Sequence, residues 1–262
     1  MIIVSWNRKR GRSNKSLDKK KNEAIMTLNP DILILQEFVT CKERDRDLPE
    51  KMQLIEAVEF EERKNNMSDP DKFGFRNGLA VFRCNDQITI EVLNQYDYRK
   101  DNFLIPMNVI SEKENISFNL LAIWNYTPRF DLTIPKYNDL FSKDSIVIGD
   151  FNWPCDSKYN PCSEKLVSRG RNKGAPKSAI WLFNFFKGHK MHSAYHGFDQ
   201  EKVKLGAPNI QPTHYLKGKI SLHIDYCFIP DSWKNRAKLD ILSKEWIDNG
   251  LSDHCPLILK IE

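Results

Sequence analysis

Ser145-Ile-Val-Ile-Gly149-Asp150-Phe151-Asn152 is an apolar strand that runs directly into a polar cluster. In extended backbone, residues two apart point to the same side, so Asp150 and Asn152 should share one space while Phe151 turns to the core. Gly149 allows the chain to turn there. An Asp at the end of a strand is also an ordinary turn or cap residue, so this stretch needs company before it means chemistry.

That company exists along the whole chain. Ile2 to Trp6 reads as a buried strand ending in Asn7, and Asp31 to Gln36 as a second one ending in Glu37. Leu222 to Ile229 carries His223-Ile224-Asp225-Tyr226, and the last strand, Pro256 to Ile261, follows Ser252-Asp253-His254. Further β-branched and aromatic runs lie at Gly78–Phe82, Ile88–Leu93, Phe103–Ile110, Ile116–Trp124, Met191–Tyr195 and Ala237–Leu242. Helices are expected over Leu17–Leu28, Leu48–Val58, Tyr137–Phe141 and Ser178–Lys187, the last closed by Gly188. Many strands, few helices and no strict alternation of the two argue for an α/β sandwich of mixed sheets rather than a doubly wound parallel sheet. Residues 7 and 254 can serve one substrate only if residues 1–262 close into a single domain.

Forty Lys and Arg against 35 Asp and Glu give a net charge of +5, which suits a polyanionic partner. The basic residues cluster at Arg8, Lys9, Arg10, Arg12, Lys15, Lys19, Lys20 and Lys21, and again at Lys165, Arg169, Arg171, Lys173 and Lys177. Each run is either a solvated face or part of a phosphate track, and each follows one of the clusters. The six cysteines form no Cys-x-x-Cys pair, Met1-Ile-Ile-Val opens a strand rather than a secretory leader, and no apolar run reaches membrane-spanning length. A reducing, cytoplasmic setting and no membrane partner are the expectation.

A carboxylate such as Glu37 at the end of a buried strand is costly unless paired or metal-bound. Hard oxygen donors without a Cys or His cluster favour Mg²⁺ or Mn²⁺ over zinc. His254 beside an acid can stay protonated near neutral pH and donate to a phosphate oxygen, with Asp225 placed to hold the imidazole. His223 faces the same side as Asp225, where a satisfied structural histidine is the commoner role. Trp124 and Trp153 are either base-stacking platforms or core residues.

Taken together, Asn7, Glu37, Gly149-Asp150-Phe151-Asn152, Ile224-Asp225-Tyr226 and Ser252-Asp253-His254 resemble the signature of the endonuclease/exonuclease/phosphatase superfamily, with its exonuclease III and DNase I branches. Ala122-Ile-Trp-Asn-Tyr126-Thr-Pro128 is similar to the segment whose tyrosine meets the scissile phosphate, and Gln211-Pro-Thr213-His-Tyr215 to the one preceding the Ile-Asp-Tyr strand. The resemblance runs from residue 2 to about residue 259. It implies a four-layer α/β sandwich, two packed mixed sheets flanked by helices, as in DNase I. It also implies that Glu37 binds the metal with Asp253 and Asn7 near it. Asp150 would activate water and Asn152 position it. Tyr126 and His254 would stabilise the phosphate in the transition state, and Asp225 would orient His254. Apart from the resemblance, the two basic runs make Arg8, Lys9, Arg12, Arg169, Arg171 and Lys173 the candidates for contacting nucleic acid. One position departs: many nuclease members carry Asn or Asp two residues after the first Asn, where Lys9 stands here.

The implied activity is Mg²⁺-dependent (or Mn²⁺-dependent) phosphodiester hydrolysis of nucleic acid, DNA ahead of RNA, by endo- or exonucleolytic cutting. Hydrolysis of a small-molecule or lipid phosphate is the alternative. A non-catalytic nucleic-acid-binding module would require a broken constellation, and none of the clusters is broken.

Overall fold

The computed structural model describes residues 1–9, 15–39, 49, 51–59, 77–101, 104–125, 130–142, 144–153, 179–197, 211–216 and 220–262. Two six-stranded mixed sheets carry the fold. The first takes β1 (Ile2–Asn7), β2 (Ile32–Val39), β3 (Gln53–Glu59), β4 (Asn77–Arg83), β13 (Ala237–Ile241) and β14 (Leu257–Ile261), in the order β13-β14-β1-β2-β4-β3. The second takes β5 (Ile88–Val92), β6 (Leu104–Ser111), β7 (Ile116–Trp124), β8 (Ser145–Asp150), β9 (Met191–Ser193) and β12 (Asp225–Pro230), in the order β5-β6-β7-β8-β12-β9. A small hairpin, β10 (His214–Leu216) and β11 (Ile220–Leu222), stands apart from both.

Each sheet has one parallel pair near its centre, β1 with β2 and β7 with β8, and these strands are apolar on both faces because both faces are covered. Ile3, Ile32, Ile34, Leu79 and Val81 turn inward against Leu120, Ala122, Ile146 and Ile148 of the second sheet. The alternate residues Val4, Trp6, Leu33, Leu35 and Phe82 form a separate cluster on the outer face with Ile25 of helix α1 (Lys15–Met26). Behind the second sheet lies the aromatic helix Ala179–Gly188, where Phe186 stacks on Phe228 of β12 at 4.2 Å between ring centroids. Helix, sheet, sheet, helix is the expected four-layer α/β sandwich. No helix among the described residues is long and apolar enough to cross a membrane.

One expected element is overturned. The apolar spacing over 48–58 predicts a helix, but Gln53–Glu59 is a strand paired antiparallel with β4. The register shifts between Leu54 and Glu56, a bulge that breaks the period-2 pattern and leaves apolar residues at 54, 55, 57 and 58, a spacing that imitates a helical turn. The single strand expected from 222 to 229 is also divided. It breaks at His223-Ile224, between the hairpin and β12.

Candidate active site

The site forms where three strands end. Asn7 is the last residue of β1, Glu37 lies near the end of β2, and Asp150 closes β8. Asp225 opens β12 directly opposite Asp150 in the antiparallel register. Asn7 and Glu37 come from one sheet and Asp150 and Asp225 from the other, so the packing of the two sheets brings them together.

Local backbone strain marks this end of the molecule. Lys9 and Glu37 have φ of 50° and 51°, a left-handed conformation unusual for such residues, and Asn152, of a type that tolerates it, has φ of 53°. At Glu37 the strain coincides with a bulge: β2 shifts register against β4 between Gln36 and Phe38. That extra residue re-aims the Glu37 carboxylate instead of leaving it in the pleat. Gly149, at φ 149°, lets β8 press against β7 so closely that a Cβ there would lie 2.0 Å from the Ile123 carbonyl oxygen.

One amide joins the two sheets' acids. Asn7 Nδ2 donates to Asp150 Oδ2 at 2.9 Å and to Glu37 Oε1 at 3.4 Å, while Asn7 Oδ1 accepts the Lys9 N–H at 2.9 Å. The amide nitrogen therefore faces the carboxylates, which makes Asn7 their shared donor in this geometry. Asp150 also accepts from the Asn152 backbone N–H at 2.8 Å and from Asn152 Nδ2 at 3.1 Å. Asp150 and Asn152 do share one space, and Phe151 between them is fully buried against Phe130, Tyr226 and Phe228.

His254 faces the same acids. Its Nδ1 lies 3.0 and 3.2 Å from the two carboxylate oxygens of Asp225. The loop that carries it is fastened to β1: Ser252 Oγ donates to the Asn7 carbonyl at 2.6 Å and Trp6 Nε1 to the His254 carbonyl at 3.0 Å. Thr213 ties in the opposite side, its Oγ1 accepting the backbone N–H groups of Ile224 and Asp225 at 3.1 Å and its carbonyl that of Cys255 at 2.7 Å.

The electrostatics divide the carboxylates. Burial, reinforced by the neighbouring Asp225, pushes Asp150 up to about 7, against the pull of His254 and the hydrogen bonds from Asn7 and Asn152. Burial opposes charge on His254 as well, but Asp225, with Asp150 and Asp253 behind it, raises it to about 9, so the ring is a cation at neutral pH. Asp253 is held well below the usual carboxylate range despite burial, by hydrogen bonds from His214 and Lys9 and by the charge of His254.

Two residues that the sequence did not single out belong here. His214 stacks on His254, ring centroids 4.3 Å apart, and brings its Nε2 within 3.7 Å of Asp253 Oδ2. Lys21, in a basic run read as either a solvated face or part of a phosphate track, is buried instead: its ammonium donates to the Arg8 carbonyl at 2.6 Å and the Lys9 carbonyl at 3.2 Å. Burial and the nearby Arg8 lower it to about 8, against Asp18, Asp253 and Glu37. The signal was present, since 21 stands four residues after Leu17 and four before Ile25 on the inward face of α1.

Arg8 corrects another expectation. It is buried, with its guanidinium 5.8 Å from the centre of the Phe38 ring and 3.8 Å from Asp18, so it packs against the protein instead of reaching outward for a phosphate. Lys9 is half exposed and sits on Asp253 at 2.7 Å. Trp124 and Trp153 are core residues. Tyr126, Arg12, Arg169, Arg171 and Lys173 lie outside the described residues.

His223 is the buried neutral histidine that the sequence allowed. Its Nδ1–H donates to the Gln211 carbonyl at 2.8 Å, and burial lowers its pKa to about 4. Because the folded value lies below the unfolded 6.5, its contribution is complete above pH 6.5 and lost as pH falls toward 4. About 3 kcal/mol of stability should disappear over that window. Urea midpoints at pH 7 and pH 4.5 check this, and His223→Gln should show a shallower decline than wild type. Equal declines would rule it out.

The donor set suits a hard divalent cation. Glu37 and Asp150 are oxygen donors sharing a single amide, and no cysteine is in the groups of potential ligands among the described residues. Two triads, Asp150-Asp225-His254 and His214-Asp253-His254, also bring ligand atoms within 4.8 Å of one another.

No family model matches the sequence, and no curated protein sequence does either. Solved structures do match over the full chain. A variant of the 3′ phosphatase NExo from Neisseria, bound to a product DNA hairpin, is 14% identical with a TM-score of 0.60, covering 100% of this chain and 99% of that one. The AP endonuclease LMAP from Leishmania major is 12% identical with a TM-score of 0.62, covering 100% of this chain and 87% of that one. An AP endonuclease from Archaeoglobus fulgidus is 13% identical with a TM-score of 0.61, covering 100% and 99%. At these identities the likeness is one of fold.

Proposed function

We propose that this chain, which has the DNase I-like sandwich of the endonuclease/exonuclease/phosphatase proteins, is a divalent-metal-dependent phosphodiester hydrolase acting on nucleic acid. The observation that carries this reading is the junction at Asn7: one buried amide joins Glu37 of the first sheet to Asp150 of the second, beside the Asp225–His254 pair. A stabilising core needs no such gathering of acids, because each buried charge there has a desolvation cost.

The residues divide the work by chemistry. Glu37 would hold the cation, with the Asp253 carboxylate nearby and Asn7 orienting the acids. Bound Mg²⁺ or Mn²⁺ supplies Lewis-acid neutralisation of charge on the phosphate oxygens. Asp150, poised near neutral pH, accepts the proton of the attacking water, and Asn152 fixes the carboxylate that does so. His254 donates to a phosphate oxygen from the ring edge opposite Asp225, which holds the imidazole and balances its charge. Tyr126 is proposed as a second phosphate contact.

Nucleic acid is favoured over a soluble phosphomonoester by the net charge of +5. The neighbours point the same way, one holding a product DNA hairpin and two being AP endonucleases. The test is a cleavage panel with end-labelled single- and double-stranded DNA and RNA, plus a soluble phosphomonoester, each with Mg²⁺, Mn²⁺ or EDTA. Chelator-sensitive cutting of a nucleic acid is expected. Turnover of the phosphomonoester alone would replace the substrate class, and no turnover under any condition would defeat the hydrolase reading.

A further inference from the structure

We propose that Lys21 is a positioning residue for the reaction: its buried ammonium fixes the turn after β1 and so aims the Asn7 amide at Glu37 and Asp150. This inference rests on the hydrolase reading above.

Asn7 can join the two acids only one way round. Its Nδ2 donates to Asp150 Oδ2 at 2.9 Å and to Glu37 Oε1 at 3.4 Å, and a flipped amide would press Oδ1 against the same carboxylate oxygens. The orientation is selected on the other side of the amide, where the Lys9 N–H donates to Asn7 Oδ1 at 2.9 Å. A side-chain oxygen that takes the N–H two residues on is an Asx turn, and here Lys9 is held at φ 50° to make it. A lysine does not keep that conformation without support from its surroundings.

The support comes carbonyl by carbonyl. Pairing with β2 continues as far as the Arg8 N–H, which donates to the Gln36 carbonyl at 3.0 Å. Ser252 Oγ donates to the Asn7 carbonyl at 2.6 Å. The next two carbonyls, of Arg8 and Lys9, both accept from Lys21 Nζ, at 2.6 and 3.2 Å. The Arg8 carbonyl and the Lys9 N–H belong to one planar peptide group, so a donor fixed on that oxygen also fixes the direction of the N–H. Lys21 therefore acts on Asn7 through a single rigid unit, without touching it.

Burial makes this a costly place for a cation. Lys21 stands four residues after Leu17 and four before Ile25 on the inward face of α1, where an apolar side chain would pack without desolvating a charge. Burial and Arg8 lower its pKa to about 8 against Asp18, Asp253 and Glu37, which leaves it mainly a cation at neutral pH. A charged donor holds both carbonyls more firmly than a neutral one would.

NMR on the full-length chain with isotope-labelled asparagine reads the Asn7 carboxamide directly, its resonances being those lost in Asn7→Asp. Lys21→Met, similar in length but without a donor, should move these resonances in a protein that still folds. With Mg²⁺ its kcat should fall roughly 100-fold, the scale of a misplacement of about 1 Å, with KM nearly unchanged because Lys21 meets no substrate. Ile25→Val, buried on the same face, should lower the melting temperature and leave the Asn7 resonances and kcat as they are. Unmoved resonances in folded Lys21→Met, kcat within a few-fold of wild type, or equal effects from Ile25→Val would each overturn the role of Lys21 while leaving the hydrolase reading standing. If Lys21→Met does not fold, Lys21→Gln is read in the same way, since its amide stops one bond short of the two carbonyls. Failure of both to fold would make Lys21 a support of the whole fold and overturn the positioning role. No turnover by wild type on any substrate would remove the hydrolase reading, and the role in the reaction with it, even if the resonances move.

Discussion

Asp150→Asn is expected to slow phosphodiester cleavage roughly 100- to 1000-fold, the usual effect of deleting one group that acts in the transition state. Thermal stability should hold or rise. The reason lies in the surroundings of the carboxylate, which burial and Asp225 together push toward protonation. An amide of the same shape removes that repulsion and can still accept from Asn7 or from the Asn152 N–H, which lie 2.9 and 2.8 Å away. Activity and stability should move in opposite directions, as they do where a site keeps charges that the fold would rather lose. Single-turnover rates with Mg²⁺, alongside a thermal melt, read both. A variant that cuts within a few-fold of wild type would reject Asp150 as the water-activating group. A variant that merely unfolds would show instead that its role is structural.

Gly149→Ala should act in the opposite sense, on the fold first. The added Cβ would meet the Ile123 carbonyl oxygen at 2.0 Å and its carbon at 2.8 Å, and the residue sits at φ 149°. These are backbone atoms of β7 in register with Gly149, so relief means parting the parallel pair at the centre of the second sheet. The Ile123 carbonyl also receives the buried Gln36 amide at 3.3 Å, so the displacement would reach β2 and the approach to Glu37. Strain and overpacking together should cost roughly 3–5 kcal/mol, a fall in melting temperature on the order of 10 °C for a chain of this size. Gly188→Ala is the matched control, because nothing lies within 4 Å of a Cβ there. Equal melting temperatures for the two variants would refute the packing argument.

The strands and their burial were readable because apolar runs such as Ile32-Leu-Ile-Leu35 have one stable home, between covered faces. The strand at Gln53–Glu59 escaped because its bulge disguised the alternation. Arg8 escaped because the composition of a basic run carries no information about which member folds inward onto Phe38. His214 escaped because what makes it part of the site is a ring stacked from another segment, 4.3 Å away.

By itself, then, the chain determined which residue types stand at strand ends, and through period-2 alternation which of them share a side, as Asp150 and Asn152 do. Tertiary structure alone decided that Asn7 serves two acids from different sheets and that Lys9 sits on Asp253, and it set His254 on Asp225, the pairing the residue types had led one to expect. Alternation is a local property of the backbone, written into consecutive residues. Partnerships between residues 143 or 29 positions apart, as for Asn7 with Asp150 and His254 with Asp225, depend on where whole sheets come to rest. That is settled by how their buried faces fit, which no short stretch of sequence specifies.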